Sequence, residues 1–197
     1  MTKPVAVLYA TREGHTRRVA ERIARDLRAR GFDAECKNLR EDAAAIDPNN
    51  YSAVVLAASV HQGKHEREMV KFVKKHRTGL EKLPTAFLSV TLSEAGAEMP
   101  DTTPEKRARY SADAQKVIDQ FFESTGWRPQ RVKPVAGALL YSKYNPLVRF
   151  IMKRIAKEAG AATDPSRDYE YTDWVGLDRF VDELADDLCP SAPRTGR

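Results

Sequence analysis

Two hydrophobic periods alternate along this chain. Short apolar runs at 5–9, 53–58, 85–90 and 132–140, with a weaker one at 33–38, read as strands covered on both faces. Between them apolar residues recur every three or four positions, the period of a helix with one buried stripe. Val19, Ala20, Ile23, Ala24 and Leu27 make the first such stripe, and Gly31 predicts its stop. A short helix is expected at 41–46, then one at 66–76 that buries Met69, Val70 and Val73 and ends before Gly79. Another starts at Pro104 and runs to about 124, burying Val117, Ile118, Phe121 and Phe122. The last, 174–188, carries Leu177, Phe180, Val181 and Leu184. Strands and helices in alternation predict an α/β domain whose parallel sheet has helices on both sides.

One segment breaks the alternation. Residues 141–172 lie between the last strand and the last helix, where connections are usually only a few residues long. On a helical wheel Leu147, Val148, Ile151, Met152, Ile155, Ala156 and Ala159 share one side. Arg149, Lys153, Arg154 and Lys157 share the other, with Phe150 among them. Such a helix either packs on the domain with a solvated basic face or meets an anionic partner. The pattern predicts one domain over 1–189, including this insert, and a disordered tail at 190–197 rich in Pro, Arg and Gly.

Composition narrows the class. A chain of 197 residues can bury a full sheet between helix layers without staples. Its two cysteines, Cys36 and Cys189, have neither disulfide-framework nor metal-ligand spacing, which suits a reduced, cytoplasmic protein with no metal site. Met1 to Pro4 lead straight into an apolar strand with no signal-peptide pattern, and no apolar run is long enough to span a bilayer. The net charge of +5 is unevenly placed, with bases crowding 12–30 and 143–157 and acids crowding 178–187. That asymmetry points to an anionic partner on one face. No nucleic-acid recognition motif accompanies it.

The densest chemical signal is the junction at 8–16, where an apolar strand enters a turn rich in hydroxyls and a long helix follows. Thr11, Arg12, Glu13, Gly14, His15 and Thr16 form a T-x-E-G-x-T loop. Free N–H groups of a first helical turn, two hydroxyls and a glycine suit an anion. The loop has neither the lysine of a triphosphate loop nor the three glycines of a dinucleotide fingerprint, so a phosphomonoester is the natural ligand. The same residues also fit an ordinary helix start capped by Thr16.

The chain from 7 to 187 resembles the flavodoxin-like protoporphyrinogen dehydrogenases of bacteria. The resemblance is carried by ATREGHTR at 10–17, ASVHQG at 58–63, FVKKH at 72–76, STGWRP at 124–129, AGAL at 136–139, RFIM at 149–152 and YTDW at 171–174. It implies a flavodoxin-like doubly wound sheet of five parallel strands in the order 2-1-3-4-5, with a helical insert before the last helix. It implies FMN as cofactor, its phosphate held by Thr11 to Thr16. The ring would lie against Ser59, Val60, His61, Gln62 and Gly63 and against Val90, Thr91 and Leu92. Many flavodoxins sandwich the flavin between aromatic side chains. These loops offer only His61 and Leu92, so shielding would be poorer or supplied by the insert, for example Tyr141 or Tyr144.

The implied reaction is oxidation of protoporphyrinogen IX with menaquinone or another quinone as acceptor. No dyad or triad stands out, so the chemistry falls to the cofactor and no catalytic side chain is assigned. Tyr141, Tyr144, Arg149, Phe150, Lys153 and Arg154 are candidates for substrate propionates or an anionic membrane, placing the protein in the cytoplasm and peripherally at the inner face of the cell membrane. A homo-oligomer is compatible with this. The alternatives are a flavodoxin-type electron carrier without its own substrate, an NAD(P)H:quinone reductase of the same fold, and a regulatory domain that has lost its flavin.

Overall fold

The computed structural model describes residues 3–99, 102–143, 164 and 166–189. Five parallel strands form its centre: β1 (Val5–Ala10), β2 (Ala34–Asn38), β3 (Ala53–His61), β5 (Thr85–Thr91) and β6 (Arg131–Ala136). Their order is β2-β1-β3-β5-β6, the expected 2-1-3-4-5, and a short β4 (Lys64–His65) folds back antiparallel on the end of β3. All of β1 and most of β3 and β5 are buried, as inner parallel strands with helices on both faces must be.

One face is covered by α1 (His15–Ala29) and α6 (Trp174–Leu188), which bring Val19, Ile23, Leu27, Leu177, Val181 and Leu184 against Val5, Val7, Val55 and Leu88. On the other, α3 (Arg67–Leu80) and α5 (Pro104–Thr125) bring Met69, Val73, Ile118 and Phe121 against Leu8, Leu56 and Phe87. Two short helices, α2 (Leu39–Asp42) and α4 (Leu92–Glu98), complete the layers.

Several boundaries differ from the pattern-based expectation. The short helix occupies Leu39–Asp42 instead of 41–46, because Asn38 caps it by accepting from Arg40 N–H. Helix α3 runs through Gly79 to Leu80, whose burial in the core outweighs the glycine stop signal. The run 132–140 breaks at Gly137 into β6 and β7 (Ala138–Leu139), and β7 pairs with β8 (Tyr169–Glu170). A Cβ at Gly137 would lie 3.2 Å from the Thr91 carbonyl oxygen, which accepts from Gly137 N–H at 2.8 Å.

Among the described residues, the bases of 12–30 and the acids of 178–187 are largely paired. Arg18 binds Glu170, Arg22 binds Asp26 and Asp178, and Arg30 binds Asp182, so the arginines of α1 meet acids on or just before α6. Arg131 meets Glu183 and Asp187 in the same way. The amphipathic helix expected within the insert, with Tyr144, Arg149, Phe150, Lys153 and Arg154, lies outside the described residues, as does the tail 190–197.

Candidate functional site

The carboxyl ends of β1, β3 and β5 converge, and the loop from β1 to α1 lies among them. Gly14 is the N-cap of α1 in the left-handed conformation, φ 95°, and supplies no side-chain cap. Thr11 Oγ1 accepts from Gly14 N–H at 3.2 Å and closes the turn. Thr16 is therefore not the helix cap. It is 1% exposed, and its Oγ1 is buried without a hydrogen-bond partner.

His15 is held from behind. Its Nε2 lies 2.7 Å from Thr172 Oγ1, and that hydroxyl donates to the Ala136 carbonyl at 2.9 Å. With the hydroxyl proton so committed, Nε2–H is the donor and Nδ1 the bare acceptor. Burial lowers the His15 pKa, which keeps the ring neutral, and Nδ1 is buried with no partner. Two polar atoms of opposite need thus lie in the first turn of α1, a hydroxyl able to donate and a nitrogen able to accept.

The second candidate segment is a hairpin, not a loop. Strand β3 runs on to His61, Gln62 and Gly63 turn with φ 50° and 70°, and Lys64 and His65 pair back with His61 and Val60. Two consecutive positive φ values are those of a type I′ turn. Buried His65 anchors the return strand, its Nε2 2.9 Å from Ser89 Oγ and its ring edge-on to Phe87 and Phe121. Its pKa is lowered to about 3 by burial.

At the hairpin's base sits a carboxylate that sequence reasoning missed. Glu66 is 3% exposed and accepts from Arg12 Nε at 3.2 Å and from Ser59 Oγ at 3.3 Å. Arg12 of the first loop and Ser59 of β3 thus meet on Glu66, which ties the two strand ends together. His61 Nε2 lies 3.4 Å from Glu66 and 3.0 Å from Glu13 but is buried without a hydrogen-bond partner. The Gln62-Gly63 pair was the sequence signal for the turn; nothing local marks Glu66.

The third segment departs from expectation. Val90 is in the core, so it offers only main chain. Thr91 Oγ1 caps α4 by accepting from Glu94 N–H at 2.9 Å, and α4 begins at Leu92 where a loop was expected. Leu92 packs with Leu139 and Tyr141. Tyr141 is itself fully buried, edge-on to Tyr169. Tyr141 is not placed to shield a ring, because closing the small β7–β8 sheet buries it, while Leu92 stays half-buried against it. Among the described residues no group of three or more His, Cys, Asp or Glu is placed to hold a metal.

The flavodoxin domain matches residues 6–166. The chain belongs to the flavodoxin-domain family. It is 35% identical over 181 residues to protoporphyrinogen IX dehydrogenase [quinone] of Escherichia coli K12, covering 91% of this chain and 93% of that one. A protein of the same name from Leishmania major is 32% identical over 185 residues, covering 91% and 73%. In fold the chain is similar to a short-chain flavodoxin associated with a bacterial microcompartment, with TM-score 0.52, 13% identity and 95% and 99% of the two chains covered. It also resembles part of rubredoxin oxygen:oxidoreductase from Desulfovibrio gigas, with TM-score 0.50 and 13% identity, covering 95% of this chain and 37% of that one. Membership of the flavodoxin family implies a flavin cofactor, and the first turn of α1 fits one. The buried Thr16 hydroxyl and His15 Nδ1, both without a partner in the protein, and the αL Gly14 beside them are groups that could hold the polar end of such a cofactor.

Proposed function

We propose that this protein is an FMN-dependent dehydrogenase that oxidises protoporphyrinogen IX and passes the electrons to a respiratory quinone. The observation that carries the reading is similarity at 35% identity across nearly the full length of both chains to a protein named for that reaction. The orphaned pair in α1 supports FMN in particular. Thr16 Oγ1 can donate to a phosphate oxygen and His15 Nδ1 can accept from a ribityl hydroxyl, a combination that FMN offers.

When bound, the flavin supplies the two-electron chemistry. The chain's own residues do the holding. N–H groups of the first turn and Thr16 take the phosphate, with the positive end of the helix dipole behind them. Thr172 fixes the His15 tautomer. The Arg12–Glu66 pair fixes the β3 hairpin against the first loop. Among the described residues the hairpin carries no Phe, Tyr or Trp, so on this side a flavin ring would be flanked by His61 and main chain. Because such a quinone is dissolved in the membrane, the working place is the cytoplasmic face of the bilayer.

Anaerobic single-turnover reduction tests the reading. Protoporphyrinogen IX should bleach the bound flavin and menadione should restore it, whereas NADPH should not bleach it. Fast bleaching by NADPH would assign a nicotinamide-linked reductase instead, and slow bleaching by both donors an electron carrier.

A further inference from the structure

Helix α3 carries the one long face of unneutralised positive charge among the described residues. Arg67, Lys71, Lys74 and Lys75 recur at the spacing of a single helical stripe, all four are exposed, and Lys64 of the hairpin extends the stripe toward the candidate site. None of the five has a carboxylate within ion-pairing distance among the described residues. The neighbouring bases are spoken for: Arg77 pairs with Glu81 at 3.3 Å and Arg40 with Glu68 at 3.4 Å. The contrast with α1 is sharp, since most of its arginines are tied to acids. The opposite side of α3 buries Met69, Phe72 and Val73 in the core, so the basic stripe faces outward by construction.

We propose that this face of α3 seats the protein on an anionic lipid bilayer. Protein partners favour aromatic, Met and Arg contacts and disfavour Lys, whereas this face is lysine-rich. The large exposed apolar side chains among the described residues, Val132 and Val175, lie elsewhere. Lysines without an apolar anchor match adsorption to a negatively charged surface, where each base contributes about fivefold to partitioning. The stripe starts at the foot of the hairpin, next to Glu66, so the candidate site would lie at the membrane edge. That orientation rests on the quinone-linked reading, since a membrane-dissolved acceptor requires the mouth near the bilayer. The adsorption itself does not.

The test is co-sedimentation of the full flavin-loaded chain with phosphatidylglycerol–phosphatidylcholine vesicles and with pure phosphatidylcholine vesicles, at low and high salt. The parent should sediment with the anionic vesicles alone and be released by salt. The Lys64→Gln, Lys71→Gln, Lys74→Gln, Lys75→Gln variant should lose at least about tenfold in partitioning, with unchanged flavin content and melting temperature to show that it is folded. An unchanged quadruple variant overturns the inference, as does loss only when Arg149, Lys153 and Arg154 are replaced instead. A parent that ignores anionic vesicles overturns it too, leaving an acidic protein as the class of partner for this face. Turnover with water-soluble menadione is measured beside it. Activity failing while lysine-dependent binding persists refutes the proposed function and leaves the docking face standing.

Discussion

His15 and Thr172 are 157 positions apart in sequence, yet His15 Nε2 lies 2.7 Å from Thr172 Oγ1. The first residue of α1 is thereby tied to the segment that leads into α6. Through Ala136 the same hydroxyl reaches the end of β6.

Replacing Thr172 by Val should strand the His15 N–H and the Ala136 carbonyl together. Leaving buried polar groups unmade costs about 1–3 kcal/mol. Urea denaturation of the holo-protein should show a loss of that order and flavin titration a weaker affinity, with Thr172→Ser restoring both. A Val variant as stable as the parent would show that the link is incidental.

Thr16→Val keeps the side-chain shape and removes the buried hydroxyl. A hydrogen bond to a charged group is worth about 1.5–3 kcal/mol, so FMN affinity should fall about tenfold or more. Riboflavin, which lacks the phosphate, should bind the parent far more weakly than FMN and be little affected by the substitution. Equal binding of the two flavins by the parent would reject the phosphate assignment.

His65 makes stability fall with acid. Its pKa is lowered from 6.5 to about 3, so below pH 6.5 the unfolded chain takes up a proton that the native chain refuses. The His65 contribution to stability should decline between about pH 6.5 and 3, with a slope of about 1.4 kcal/mol per pH unit. His65→Gln can keep a hydrogen bond to Ser89 and should remove one proton from the measured uptake on unfolding. His15 and His76, also lowered by burial, should still contribute in the same direction.

Glu98 should act in the opposite sense. Burial, then Glu94 and Asp173, raise its pKa to about 7. The native state therefore holds a proton that the unfolded chain releases above about pH 4.5, and stability should fall as pH rises from 4.5 to about 7. Glu98→Gln should melt higher than the parent at pH 8 and the same at pH 4.5. The gain should be about 1 kcal/mol, because partial solvent access screens the charge. Equal melting temperatures at pH 8 would count against a strained carboxyl here.

Much of the fold was legible from period alone. Strand runs and helical stripes located all five parallel strands, and the sheet order followed once the resemblance was drawn. The strand–turn–helix junction at 8–16 could be singled out because its residues are contiguous and its chemistry is local: a strand end, a glycine and two hydroxyls before a helix. What failed was whatever depended on partners distant in the chain. Helix α3 runs past Gly79 because Leu80 meets the core, and 132–140 breaks at Gly137 because the Thr91 carbonyl lies against it. Tyr141 was offered as a ring shield because its burial is decided by β7 and β8 closing over it.

Electrostatics divides the same way. The sequence determined how many charges the chain carries and where they crowd, but not which cancel. Coulomb energy depends on distance in space, and the fold brings acids of α6 against arginines of α1 while leaving the lysines of α3 alone. Glu66 is the clearest case. In sequence it is one acid among many in a charged stretch, and only the convergence of the β1 loop with the β3 hairpin makes it the buried point on which Arg12, Ser59 and His61 meet.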